Sequence, residues 1–164
     1  CLYHGDLSVE ANEKAATWLL EKVFKNLEIP FVIAGKNPSE KLRKLAYSSK
    51  YSCLVGNPTE KEMQDMIATA HIHLPSYIKT GMKVKLLNAL FNGRHVVVNE
   101  ATIADSGLEP LCHIGTTANA FKDLVAQLYH QPFTEDEIKL RNKILVPRFN
   151  NEANAKKQIG WIWG

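Results

Sequence analysis

At 164 residues, 45% of them apolar and 23% charged, the chain has the make-up of one globular domain with a substantial core. A net charge of +3, without Lys/Arg runs interleaved with aromatics, argues against nucleic acid as a partner. Cys1, Cys53 and Cys112 are too few and too scattered for a disulfide framework or a zinc site, no stretch is apolar enough to span a bilayer, and no signal peptide is visible. Strand-like and helix-like segments then alternate along the chain. The start at Cys1, without Met, suggests a piece of a longer protein, cut close to or inside the first strand. Leu2 to His4 is short and apolar and is followed by Gly5-Asp6. An amphipathic helix runs from Glu10 to about Lys25, with Ala15, Trp18, Leu19 and Val23 on one face. Phe31 to Ala34 is a buried strand, ended by Gly35-Lys36. Ser39 is an N-cap for a helix to about Ala46. Tyr51 to Val55 is a strand ending at Gly56-Asn57, and Thr59 with Glu62 forms a capping box for a helix to about Ala70. Cys53 and Cys112 fall in apolar strand-like runs, which predicts buried free thiols in a reducing compartment.

Residues 71–99 form the centre of the pattern. Ala70 to Leu74 is a brief strand, Pro75-Ser76 breaks it, Thr80 is an N-cap, and Met82 to Asn92 runs at helical period. Met82, Leu86, Ala89 and Leu90 share an apolar face; Gly81, Lys85, Asn88 and Asn92 share another. Asn92-Gly93 stops the helix, and His95 to Val98 has the β-branched, apolar character of a parallel strand buried on both sides. The N-terminus of such a helix, with Lys79, Lys83 and Lys85 around it, is suited to an anion; an ordinary αβ unit with solvated lysines gives the same pattern. Glu100 to Pro110 is a loop with one short helical turn, Leu111 to Ile114 a strand, and Thr117 to His130 a helix. The remainder from Glu135 is helical and polar, interrupted at Pro147, and ends in Trp161-Ile162-Trp163.

Six strands with helices between them predict an α/β fold, a doubly wound parallel sheet of about six strands, whose C-terminal strand ends share one edge. That edge collects Gly5-Asp6, Gly35-Lys36, Gly56-Asn57, Pro75 to Gly81, Asn99-Glu100 and Gly115-Thr116, and ligands of open α/β sheets bind there. The segment GDLSVE after the first strand has one glycine and does not fit a dinucleotide fingerprint. His71 and His73 have strand spacing but no third metal ligand follows, so both read as structural. No nucleophile elbow or triad order is present.

The stretches GDLSVEANEKAATWLLEKV, FVIAGKNPSEKLRKLA, CLVGNPTEKEMQDMIATAHIHLPS and above all TGMKVKLLNALFNGRHVVVNEATIADSGL carry a resemblance over nearly the full length. Together they resemble the C-terminal, donor-binding domain of the two-domain GT-B glycosyltransferases, in the retaining family called group 1 or family 4. The resemblance implies a Rossmann-like nucleotide-sugar-binding domain over residues 1–164, with C-terminal helices over 135–164. It implies a hexosyltransferase-type enzyme that moves a sugar from a UDP- or GDP-linked donor to a glycan, lipid or other acceptor. No metal and no cofactor beyond the nucleotide-sugar is implied, and no catalytic residue is assigned. The implied partner is a missing N-terminal GT-B domain, without which the fragment is inactive, and which gives peripheral membrane contact. The implied location is the cytoplasm, at the inner face of the membrane. The donor-binding residues implied are Gly5, Asp6, Lys36, Gly56, Asn57, Thr80, Gly81, Lys83, Lys85 and Asn88.

The sequence departs from the family pattern at instructive places. The two signature glutamates fall on Thr80 and Asn88, the Arg after the first glycine is Asp6, and the Lys of the first loop falls on Asn12. A neutral amide at Asn88 still bonds a ribose diol, but less strongly than a carboxylate. The alternative is therefore a non-catalytic nucleotide-binding or structural domain whose donor site has decayed.

Overall fold

Short strands alternate with helices, and the side chains of Ser39, Thr59, Asn99 and Thr117 cap four of those helices, whereas the first is preceded by Val9 with no side-chain cap; together these build a layered sheet. A computed structural model describes residues 1–75 and 84–149 together with Lys156. It divides into two units, residues 1–133 and 134–164. The first unit holds β1 (Leu2–Asp6), β2 (Phe31–Lys36), β3 (Ser52–Gly56), β4 (Ile72–His73), β5 (His95–Val98) and β6 (His113–Ile114). All pairings are parallel, in the order β3-β2-β1-β4-β5-β6. The predicted doubly wound sheet is present, and its order reverses between β1 and β4.

The helices of this unit are α1 (Glu10–Trp18), α2 (Glu40–Tyr47), α3 (Glu60–Thr69), α4 (Val84–Asn92), α5 (Glu100–Ile103) and α6 (Ala118–Tyr129). Their starts follow the expected chemistry. Ser39 Oγ accepts from Leu42 N at 3.1 Å, Thr117 Oγ1 from Ala120 N at 3.1 Å, and Thr59 with Glu62 makes both halves of a capping box. Tyr3, Phe31, Ile33, Ile72 and Val97 point to one face of the sheet, where they pack with Ala15, Leu19, Leu42, Phe121 and Val125 of the helices. Leu2 and Ala34 point to the other, against Ile67 of α3. Leu86, Ala89 and Leu90 of α4 are buried, as are all four residues of β5. That is what a strand covered on both faces requires.

Several expectations need correction. The first helix does not run regularly to Lys25: after Trp18 it widens into a π-helical turn over Leu19–Val23, closed by Phe24 N donating to Leu19 O at 2.9 Å. The wider turn lets Leu19, Leu20 and Val23 all face the core. Cys53 is exposed and Cys112 half-buried, not sealed in the core. The reason for Cys53 is topological, since β3 is the last strand on its side of the sheet. Leu111 belongs to a 3₁₀ turn, Glu109–Leu111, and the strand after it shortens to His113–Ile114.

The second unit carries α7 (Glu135–Phe149), whose start is fixed by Thr134 N donating to Glu137 Oε2 at 2.7 Å and Glu137 N to Thr134 Oγ1 at 3.3 Å. Pro147 lies inside this helix and does not interrupt it. It removes one amide donor two residues before the helix's last described residue, Phe149, and the helical backbone continues past it. Trp161, Ile162 and Trp163 lie outside the described residues. No helix among the described residues is long and apolar enough to cross a membrane.

Candidate functional site

The strand ends gather two clusters at the C-terminal edge of the sheet. The first is built around β2 and β3. Gly35 and Gly56 stand opposite each other in register, and Asn57 N donates to Gly35 O at 2.8 Å. Asn37 and Asn57 both adopt positive φ, 50° and 55°, a conformation asparagine tolerates better than most residues. The Asn57 side chain accepts from Asn37 N at 2.8 Å. Asn57 therefore ties two loops together, and the Arg43 guanidinium lies close over Gly56. Lys36 is exposed, opposite Asp6 in register.

The second cluster joins β1, α1 and α4. α4 begins beside the end of β1, and its Lys85 extends across the strand end. Lys85 Nζ donates to Asn12 Oδ1 at 2.7 Å, approaches Tyr3 Oη at 3.5 Å, and stands 4.9 Å from the centre of the Tyr3 ring. A cation over an aromatic face is attracted by the ring quadrupole. Gly5 makes this possible: a Cβ there would lie 2.5 Å from Lys85 Nζ. Burial lowers the Lys85 ammonium to about 8 from its ordinary 10.5, because water has been replaced by protein around the charge.

His4 precedes Gly5, on the other face of β1. Its Nε2 is shielded from solvent and meets no hydrogen-bond partner among the described residues. Burial first, and the charge of Lys85 second, push its imidazole down to about 4, so it is neutral at physiological pH. Asp6 turns back on its own loop. Its Oδ1 accepts from Ser8 N at 3.0 Å and from Ser8 Oγ at 2.6 Å. These bonds, with the Ser8 hydroxyl the largest, hold the exposed carboxyl below its usual value.

Among the residues expected from the sequence, Gly5 and Lys85 thus meet directly, with Asp6 at the rim. Asn88 follows Lys85 by three positions on α4 and so lies on the same side of the helix, half-buried. Lys36, Gly56 and Asn57 belong to the neighbouring cluster. Thr80, Gly81 and Lys83 lie outside the described residues. Sequence reasoning overlooked Tyr3 and His4. A polar tip ending each of two residues in an otherwise apolar strand is the signal that could have found them. A concavity of about 640 Å³ opens elsewhere, lined by Phe24, Leu27, Ser48 and Tyr51 at the N-terminal strand ends, and no residue of the two clusters lines it. The chemistry that the second cluster can perform is the holding of an anion by a fixed, partly desolvated ammonium.

The family described as Glycosyl transferases group 1 matches residues 1–131. No curated protein matches the chain. Among solved structures, the chain is similar to an alpha,alpha-trehalose-phosphate synthase (UDP-forming) from Burkholderia xenovorans in complex with glucose-6-phosphate. The TM-score is 0.61 at 11% identity, over 90% of this chain and 39% of that one. A second similar structure, the OtsA apo structure, gives 0.55 at 13% identity, over 89% of this chain and 38% of that one. At such identities the likeness concerns the fold, and the chain spans about two fifths of the length of each.

Proposed function

The chain belongs to the group 1 glycosyl transferases, and from that premise we propose that it is the donor-binding domain of a retaining glycosyltransferase of the hexosyl-transferring type. The observation that carries this reading is the Lys85 ammonium, brought by α4 over Gly5 at the C-terminal end of β1. In the transfer of a sugar from a nucleoside diphosphate, negative charge builds on the departing diphosphate. A preorganised ammonium in a site of reduced dielectric stabilises that charge. In this reading Lys85 neutralises the diphosphate, Asn88 bonds the ribose diol, and Gly5 and Asp6 border the sugar side. Gly56 and Asn57 border the base, and Lys36, Thr80, Gly81 and Lys83 complete the surroundings. The donor is a UDP- or GDP-linked sugar, and no metal or further cofactor takes part. The acceptor, a glycan or lipid, is held by an N-terminal domain that completes the cleft, and the isolated domain transfers little or no sugar. That N-terminal domain brings the protein to the inner face of the membrane from the cytoplasm.

A second reading, a nucleotide-binding or structural domain with a decayed site, is favoured by Asn88 in place of a carboxylate and by the engaged side chains of Asp6, bonded within its own loop, and Asn57, bonded to Asn37 of the neighbouring loop. Thermal unfolding with UDP, GDP and ADP separates ligand binding from a purely structural role. A ligand that binds the folded state raises its melting temperature. No shift with any of the three would defeat the donor-binding reading.

A further inference from the structure

We propose that Asn12 is a positioning residue of this site: its neutral side-chain amide fixes the Lys85 ammonium over Gly5 toward an anionic ligand, without itself adding a negative charge beside it. The proposal rests on the reading of the β1–α4 cluster as a nucleotide-sugar site. Asn12 stands in the first turn of α1 and is held at three points. Its Nδ2 donates to Asp6 O at 2.8 Å, its backbone carbonyl accepts from Tyr3 Oη at 3.0 Å, and its Oδ1 accepts from Lys85 Nζ at 2.7 Å. These contacts decide which way the amide faces. The reverse orientation would set an oxygen against the Asp6 carbonyl and an NH₂ against an ammonium, two repulsions in place of two bonds.

A long, flexible lysine is thereby confined to one place, with the Tyr3 ring beneath it and the Cβ-less Gly5 beside it. The neutrality of Asn12 matters as much as its geometry. A carboxylate at the same position would also accept from Lys85, but it would cancel the charge that a phosphate needs and raise the ammonium pKa. Asn12 thus orients the cation without consuming it.

The test uses the full chain and four forms: parent, Asn12→Ala, Asn12→Asp and Lys85→Ala. Each is titrated calorimetrically with UDP, GDP and ADP. The Lys85 side chain is titrated by nuclear magnetic resonance on ¹⁵N-labelled lysine, and thermal unfolding checks that each form folds. Asn12→Ala should weaken the best of the three nucleotides about tenfold, the usual worth of a net hydrogen bond at its upper end. Asn12→Asp should weaken it at least as much and should move the Lys85 titration to higher pH than in the parent. An asparagine that serves the fold alone would leave nucleotide affinity at the parent value, although a carboxylate touching Lys85 would still raise its titration. If Asn12→Ala fails to fold, the isosteric Asn12→Asp carries the test by itself. Parent-like nucleotide affinity in Asn12→Asp, with the Lys85 titration raised, overturns the proposal, because the charge would then be cancelled without cost to binding. If Lys85→Ala then still loses affinity, the donor-site reading stands without it. If the parent binds none of the three nucleotides, the donor-site reading falls and takes the proposal with it.

Discussion

Gly5 and Gly35 face each other in register on β1 and β2, and a Cβ built on Gly35 would lie 1.8 Å from the Gly5 carbonyl oxygen. The same construction on Gly5 meets the end of the Lys85 side chain instead. Two adjacent glycines therefore respond differently to the same substitution. Gly35→Ala forces the β1 and β2 backbones apart near their C-terminal ends and should destabilise by about 3 kcal/mol or more, or prevent folding. Gly5→Ala should change stability by no more than about 1 kcal/mol but displace the ammonium. Urea unfolding of both variants, with nucleotide titration of Gly5→Ala, checks the pair. Equal losses of stability would show that Lys85 cannot move aside.

Lys85→Ala should weaken nucleoside diphosphate binding by roughly 1.5–3 kcal/mol, the range of a hydrogen bond to a charged group. Lys50, exposed at the opposite edge of the sheet beside Tyr51, serves as the control, and Lys50→Ala should bind as the parent does. Added salt should weaken the parent more than Lys85→Ala, because the screened attraction is absent from the variant. Calorimetry at two salt concentrations reads both effects.

The depressed ammonium gives a pH dependence of definite sign. Lys85 titrates near 8 when folded and at its ordinary 10.5 when unfolded. Between those values the unfolded chain binds more protons, so stability contributed by this group rises with pH from about 8 to 10.5. Affinity for an anion runs the other way and falls as pH rises through 8. Melting curves across this range should show the rise in the parent and not in Lys85→Met, and nucleotide titration should show the falling affinity.

His4 supplies the acid counterpart. Its imidazole titrates near 4 when folded against an ordinary 6.5, so protonation favours the unfolded chain. The stability that goes with a neutral His4 is complete above 6.5 and is lost as pH falls toward 4. The loss by pH 4 is on the order of 2–3 kcal/mol. His4→Gln does not titrate there, and its melting temperature should fall less between pH 7 and pH 4.5 than that of the parent. Identical acid profiles would place the acid sensitivity elsewhere.

The sequence made the local parts of this structure readable. Thr59 with Glu62, and Ser39, announced helix starts because capping is settled within three residues. The four buried residues of β5 announced a covered strand for the same reason, since their chemistry is continuous. Lys85 could be placed on the correct face of its helix from periodicity alone. Its acceptor could not: Asn12 lies 73 residues away, and only the sheet order brings the two together. The π turn was hidden because Leu19, Leu20 and Val23 satisfy an ordinary amphipathic pattern nearly as well. Cys53 was misplaced because an apolar run does not reveal whether its strand lies at the middle or the margin of a sheet.

The sheet is also unevenly fastened. Among the described residues, β1 meets β2 along Leu2 to Asp6, but meets β4 through the pair Leu2 and His73, with Leu74 N reaching Leu2 O at 3.0 Å. The Lys85–Asn12 bond is a rivet set across that crease between β1 and β4, one end on the helix after β1 and the other on the helix before β5. Amide exchange at Leu74 should accordingly outpace exchange at Ala34, in the middle of the wider seam. A molecule gripped by Lys85 beside Gly5 would sit astride the crease and work as a brace. Its arrival would slow the opening of the Leu74 amide at that crease.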